Sequence, residues 1–229
     1  MNSKEYALIV AGGKGSRFGG GIPKQFVALQ GLPVLMHTLE AFYRYNEDIA
    51  IVLVLPEADF NTWHSLCAKY QFTRPITLQS GGQSRFQSVR RGLTKISEDG
   101  LVAIHDGVRP LVSTDIIARS FQCARQHGSA IAAVDLKESL RTVTPAGTHA
   151  VDRSAYKLIQ TPQTFRVSMV KQAYELDEDS TLTDDASVVE KHGDSVFLYE
   201  GSYDNIKITT EGDLILAEAV LRSRQHNSY

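Results

Sequence analysis

The chain is poor in cysteine, in excess charge of either sign and in long apolar runs, and each shortage narrows its class. Only Cys67 and Cys123 are cysteine, and neither sits in a Cys-x-x-Cys or Cys/His spacing. The sequence therefore supports no disulfide framework and no zinc-type cluster, and two reduced, packed thiols in an intracellular setting are expected. Lysine and arginine number 24 against 26 aspartates and glutamates, a formal net charge of −2. Such a balance provides no general basic field for nucleic acid, so any anion site must arise from local placement of cations. No apolar run approaches the ~20 residues of a membrane helix. The first strand begins by about Tyr6, which leaves no room for a leader, and a cytoplasmic protein without membrane partners is expected.

Several catalytic signatures are missing as well. No Gly-x-x-x-x-Gly-Lys-[Ser/Thr] string occurs, because Lys14 is followed by Gly15. The dinucleotide pattern Gly-x-Gly-x-x-Gly starts at Gly13 but meets Phe18 at its third glycine. No Gly-x-Ser-x-Gly elbow is present, and Ser16 has no obvious base beside it, so covalent catalysis has no candidate nucleophile.

What is present is an apolar strand at 7–11 emptying into a glycine-rich loop that carries Arg17 and Lys24. Glycine lets main-chain N–H groups approach an anion closely, so strand, glycines and cations together suggest a phosphate site built largely of backbone. The pattern continues with strands expected at 49–55, 76–79, 101–105, 129–134 and 196–200. Helical spacing appears at 34–42, 60–70, 84–96, 114–127, 167–176, 184–191 and 210–224. These nearly continuous apolar strands alternating with helices predict an α/β fold: a mostly parallel sheet covered by helices on both faces. Apolar residues at 42% and charged residues at 22% suit one domain over 1–229, and no linker or repeat divides it. Between about 136 and 158 the pattern becomes polar and alternating around the turn Thr144-Pro145-Ala146-Gly147, which reads as a protruding β-arm. A two-stranded arm buries little of itself, so docking on a second subunit is expected.

In an open parallel sheet, ligands bind beyond the carboxyl ends of the strands. The polar residues found there are Arg17 and Lys24, then Gly82, Gln83 and Arg85, then His105, Asp106 and Arg109, with Lys137 to Arg141, Asp152-Arg153 and Asp204 to Lys207 later. Plainer readings stand beside these. Asp106 and Arg109 could pair as surface ions, His105 suits packing or orientation, and Thr183-Asp184-Asp185 reads equally well as a helix N-cap. A cation-rich, nucleophile-poor site fits phosphoryl or nucleotidyl transfer, in which the substrate supplies its own oxygen nucleophile. A divalent cation, Mg²⁺, is expected to share the charge of a triphosphate.

Ordered strings sharpen this reading: Ala11-Gly12-Gly13-x-Gly15-x-Arg17, Pro23-Lys24-Gln25, Gly81-Gly82-x-x-Arg85-x-x-Ser88-Val89, His105-Asp106-x-x-Arg109-Pro110, Asp152-Arg153, Thr161-Pro162-Gln163, Thr183-Asp184-x-Ala186-Ser187 and Asp204-Asn205-Ile206-Lys207. Together they resemble the 2-C-methyl-D-erythritol 4-phosphate cytidylyltransferases of the non-mevalonate isoprenoid pathway. The resemblance implies a Rossmann-like nucleotidyltransferase fold, transfer of CMP from CTP to a polyol phosphate with release of pyrophosphate, and a homodimer clasped by the arm. Arg17 and Lys24 would stabilise charge on the attacked phosphate, while Arg153, from the neighbouring subunit, and Lys207 would position the attacking one. Ala11, Gly12, Gly13, Gly15, Gly82, Gln83, Ser88 and Asp106 would hold the nucleotide, and Asp106 is also a weak candidate for a metal-linked carboxylate. Arg109, Ser139, Thr161 and Thr183 would contact the acceptor. Ser139 stands where the family has threonine, and the glycine loop is shared with ribitol-5-phosphate cytidylyltransferases. Ribitol 5-phosphate as acceptor, or a nucleotide-binding module without turnover, are the alternatives.

Overall fold

The computed structural model describes residues 3–12 and 21–226. Gly13, Gly15 and Arg17 lie outside the described residues. The chain opens with β1 (Glu5–Val10), a small ribbon of β2 (Ala28–Leu29) and β3 (Leu32–Pro33), α1 (Val34–Tyr45), β4 (Ala50–Leu55), α2 (Phe60–Tyr70), β5 (Ile76–Ser80), α3 (Arg85–Leu93), β6 (Leu101–Asp106), α4 (Thr114–His127) and β7 (Ser129–Asp135). The hairpin of β8 (Leu140–Thr144) and β9 (Gly147–Val151) follows, then β10 (Lys157–Arg166), α5 (Val167–Ala173), α6 (Asp185–His192), β11 (Leu198–Glu200) and α7 (Glu211–His226).

One seven-stranded sheet, in the order β11-β7-β10-β6-β1-β4-β5, organises the molecule. β1 runs parallel to β4 and β6, β4 to β5, and β7 to β11. The alternation of side chains along β1 explains why its sequence is apolar throughout. Ala7 and Ile9 face a core with Leu39 and Phe42 of α1, Trp63 of α2 and Phe121 of α4. Tyr6, Leu8 and Val10 face the opposite core with Phe86 and Val89 of α3, Val170 of α5 and Val189 of α6. α7 closes a third, smaller cluster over Leu29, Val34, Val108 and Ile208. Local signals set the helix limits. The Ser113 hydroxyl accepts a hydrogen bond from the Ile116 N–H (3.2 Å) to begin α4, and Gly128, at φ +87°, ends it in the left-handed region.

The mostly parallel sheet with helices on both faces and the exposed β8–β9 arm match the sequence reading. One strand does not. β10 was not expected from the sequence, yet it lies in the middle of the sheet, antiparallel to both β6 and β7. Its sequence, Lys-Leu-Ile-Gln-Thr-Pro-Gln-Thr-Phe-Arg, is polar and contains Pro162, a residue that usually argues against an interior strand. The strand tolerates it because its pairing with β7 shifts register between Ile159 and Gln163, where the proline falls. The polar residues there are buried and bonded. Asn205 Nδ2 donates to the Thr161 carbonyl (2.8 Å), and Gln160 Nε2 donates to the Ser202 carbonyl (2.8 Å).

His105, near the end of β6, is fully buried and meets the Phe42 ring edge-on at 5.2 Å. Its Nδ1 lies 3.0 Å from the Thr161 hydroxyl and its Nε2 3.3 Å from the Arg109 carbonyl. Burial, the largest influence, pushes its pKa down to about 3, so the ring is neutral and orienting. A group whose folded pKa lies below its unfolded value of 6.5 contributes stability above that value, and the contribution is lost as pH falls. Between pH 6.5 and 4.5, urea unfolding is expected to show about 2 kcal/mol of stability loss from this residue. His105→Gln, whatever its stability at neutral pH, should lose that much less across the same range; equal slopes for the two proteins would contradict the assignment.

Candidate active site

Two cavities open at the carboxyl ends of the central strands and share a wall. The first, of about 560 Å³, is lined by Ala11 and Gly12 after β1, Lys24 and Gln25, Gly82 to Arg85 after β5, Ser88 of α3, and Asp106 and Lys207. The second, of about 790 Å³, is lined by Arg109, Gln160, Thr161 and Gln163 of β10, Thr183, Asp184 and Ser187, and the same Arg85, Asp106 and Lys207. Of the residues suggested by the sequence for a nucleotide, Ala11, Gly12, Gly82, Gln83 and Ser88 line the first cavity; of those for an acceptor, Arg109, Thr161 and Thr183 line the second; Asp106 lies between them.

The shared wall is electrostatic. Asp106 is buried, and Arg85 Nε lies 3.7 Å from its Oδ1 while Arg109 Nε (3.3 Å) and Lys207 Nζ (2.9 Å) face its Oδ2. Burial works to raise the carboxyl pKa, but the three cations outweigh it and hold the group far below the usual carboxylate range. Its backbone N–H donates to the Thr161 hydroxyl (3.0 Å), so β10 also fixes the carboxylate's position. Arg85 is itself clamped. Its Nη1 and Nη2 donate to both oxygens of the fully buried Asp185 (2.8 and 2.6 Å), and the Tyr174 hydroxyl donates to the same carboxylate (2.6 Å). Burial opposes the charge on Arg85, yet Asp185 more than compensates, and the guanidinium stays ionised. The plainer reading of Asp106 and Arg109 as an ion pair is present in part, but the pair lies beneath the surface and belongs to a larger cluster.

The remaining sequence candidates divide. Asp184 caps α6, its Oδ1 accepting from the Ser187 N–H (2.9 Å) while the Ser187 hydroxyl accepts from the Asp184 N–H (3.2 Å). Gln163 Nε2 donates to Asp184 Oδ2 (2.8 Å) and its Oε1 accepts from the Ala186 N–H (2.8 Å), so β10 holds the loop that presents Thr183. The Ser88 hydroxyl accepts from the Gly82 N–H (3.0 Å) and donates to the Ser84 carbonyl (2.8 Å). Ser139 and Arg153 lie exposed on the arm and line neither cavity; Arg153 Nη1 donates to the Lys137 carbonyl at the arm's base. Asp185 and Tyr174 had no role in the sequence reading. Asp185 reads as an ordinary first-turn acid, and only the folded contact with Arg85, 100 residues away in sequence, reveals the partnership.

The donors here do not suit a divalent cation held by the protein. Both oxygens of Asp106 face cations, and among the described residues no three His, Cys, Asp or Glu side chains gather in metal-ligand geometry. Also among the described residues, no helix is long and apolar enough to cross a membrane.

Comparison with known proteins agrees with this geometry. The family described as IspD: 2-C-methyl-D-erythritol 4-phosphate cytidylyltransferase matches residues 6–223. The protein of that name from Bacteroides thetaiotaomicron is 48% identical over 218 residues, which cover 95% of this chain and 100% of the relative. Among solved structures, 4-diphosphocytidyl-2C-methyl-D-erythritol synthase from Anaerococcus prevotii superposes with a TM-score of 0.83 at 28% identity, covering 96% of each chain. The Thermus thermophilus 2-C-methyl-D-erythritol 4-phosphate cytidylyltransferase gives 0.74 at 30% identity, covering 97% of this chain and 100% of its own. A cation-rich wall between two cavities at the end of a parallel sheet, matched over nearly the full length of both sequence and structure, places this chain in the 2-C-methyl-D-erythritol 4-phosphate cytidylyltransferase family, a family of nucleotidyltransferases.

Proposed function

We propose that the chain transfers CMP from CTP to 2-C-methyl-D-erythritol 4-phosphate and releases pyrophosphate. The observation that carries this reading is the meeting of two cavities at Arg85, Asp106 and Lys207, which lets two phosphorylated substrates face each other across one charged wall. CTP takes the cavity of Ala11, Gly12, Lys24, Gly82, Gln83 and Ser88. The acceptor takes the cavity of Arg109, Thr161 and Thr183.

An acceptor phosphate oxygen attacks the α-phosphorus of CTP, forming one P–O bond as the bond to pyrophosphate breaks. The attacking phosphate is already anionic, so no general base is required, and neutral His105 fits that absence. What the reaction needs is placement and charge stabilisation. Lys24, together with Arg17, neutralises charge growing on the α-phosphate, while Lys207 and Arg109 hold the acceptor phosphate. Asp106, ionised throughout the working pH range, keeps Arg85, Arg109 and Lys207 apart and aimed. A divalent cation such as Mg²⁺ would come with CTP as part of that substrate rather than on protein ligands, and would supply screening of the triphosphate charge.

The arm belongs to the same proposal. β8 and β9 are exposed along nearly their whole length, with Val143 76% exposed, and Tyr156, Leu158, Ile159, Leu198 and Tyr203 form apolar surface near the arm's base. A second copy clasped there would bury that surface and bring Ser139 and Arg153 to the partner's acceptor cavity. Reduced Cys67 and Cys123 fit a cytoplasmic location.

A pyrophosphate-release assay with CTP should show turnover with 2-C-methyl-D-erythritol 4-phosphate. Turnover with ribitol 5-phosphate alone would move the chain to the related polyol phosphate, and CTP binding without release from either would favour a binding module. Lys24→Ala is expected to lower kcat by on the order of 10²-fold, the scale of losing one preorganised charge-stabilising donor, and a change confined to KM for CTP would refute its transition-state role. Sedimentation of a variant lacking residues 137–152 should show a monomer with little activity; a fully active monomer would remove the shared-site element.

A further inference from the structure

The loop after β5 is fastened to α3 at every residue, and the fastening determines which polar groups it can offer. Ser84, Gln87, Ser88 and Arg91 lie at i, i+3, i+4 and i+7, a single stripe along the helix. Gln87 Oε1 accepts from the Gln83 N–H (3.0 Å), Ser88 Oγ accepts from the Gly82 N–H (3.0 Å), and Arg91 Nη1 donates to the Gly81 carbonyl (2.6 Å). The Gly81 N–H is taken by the Leu55 carbonyl of β4 (2.8 Å). Gln87 is fixed in turn, its Nε2 donating to Glu178 Oε2 (3.0 Å). Contact between loop and helix is so close that a Cβ at residue 82 would lie 2.3 Å from the Gln87 Cβ, so only glycine fits there.

All three N–H groups of residues 81–83 are therefore occupied, and the Ser88 hydroxyl proton is directed at the Ser84 carbonyl (2.8 Å). Gly82 and Gln83 line the first cavity, and among the described residues no donor takes their carbonyl oxygens. The main chain on this side of the cavity consequently offers acceptors. A pyrimidine with an exocyclic amino group donates to acceptors; one with a carbonyl at the same position sets oxygen against oxygen and leaves buried groups unpaired, the stronger kind of discrimination. Both nucleotides have the same sugar, phosphates and ring size, so the difference resides in the loop.

We propose that Gln87 and Arg91, which line neither cavity, are positioning residues that set the preference for an amino-bearing pyrimidine nucleotide over its keto counterpart, by holding the backbone of residues 81–83 with its acceptors presented. The inference rests on the assignment of the first cavity to CTP. Steady-state kinetics with CTP and UTP, with calorimetric binding of each nucleotide alone, on the full-length protein and on Gln87→Met, Arg91→Met and Arg91→Lys test it. Gln87→Met and Arg91→Met should each raise KM and Kd for CTP about 3- to 10-fold, with kcat within about twofold and acceptor KM unchanged, the range expected for one hydrogen bond. The CTP-over-UTP ratio should fall by a similar factor, and Arg91→Lys, which keeps a donor for Gly81, should recover most of it. An unchanged ratio in both methionine variants, with native circular dichroism, overturns the proposal, as does an equal loss in Arg91→Lys. Calorimetry separates this result from the functional reading: a parent protein that binds CTP over UTP but turns over neither polyol phosphate leaves the loop assignment standing and removes the acceptor.

Discussion

The Asp106 carboxylate is the constraint around which this site is arranged. Placing an ionised carboxylate beneath the surface costs several kcal/mol of lost hydration. Two largely buried guanidiniums at 3.3 and 3.7 Å each return on the order of 4 to 5 kcal/mol of attraction at an effective dielectric constant near 20. Lys207, with 43% of its side chain exposed, is screened and adds less. The burial is therefore tolerable only if Arg85 and Arg109 cannot leave, and the fold ensures this. Asp185 and Tyr174 fix Arg85, while the Asn205 carbonyl accepts from Arg109 Nη1 (2.8 Å). A group of cations that repel one another is thus held in place before any phosphate arrives, and little reorganisation remains for substrates to drive.

The fold was largely legible in the sequence because parallel strands covered on both faces are apolar throughout. α2 and α4 begin and end where the apolar spacing places them. β10 was hidden for the opposite reason. Its middle carries Gln160, Thr161 and Gln163, which are buried and bond across to Asn205, His105 and α6, and such partners lie too far away in sequence to be read from a periodic pattern. The site shows the same division. Strings after each strand identified Lys24, Gly82, Asp106, Arg109 and Lys207, all of which gather in or between the two cavities. Asp185 and Tyr174, the side chains that hold Arg85, are ordinary in local context and gain meaning only from contacts across the molecule.

The two cavities differ in construction. Around the first, the structure relies on main chain braced by one face of α3. The second is lined by side chains of β10 and its neighbours β7 and β11, with Gln163 of β10 reaching to the N-terminus of α6. A backbone-lined pocket reads the edge of a planar ring, whereas a side-chain-lined pocket can be altered by single substitutions.

The position of β10 also bears on how the chain assembles. β7 and β11 bond to the rest of the sheet only through β10, which follows β7 in sequence by more than twenty residues and enters between two strands already made. During synthesis, β6-β1-β4-β5 can close as a unit while β6 and β7 each present an unpaired edge until residue 166 has emerged. The exposed arm lies in that same interval, so the loop that β10 must close before the sheet is complete contains the whole hairpin, and lengthening it has only a weak, logarithmic entropic penalty. The length of the arm is thereby decoupled from the stability of the sheet that carries it.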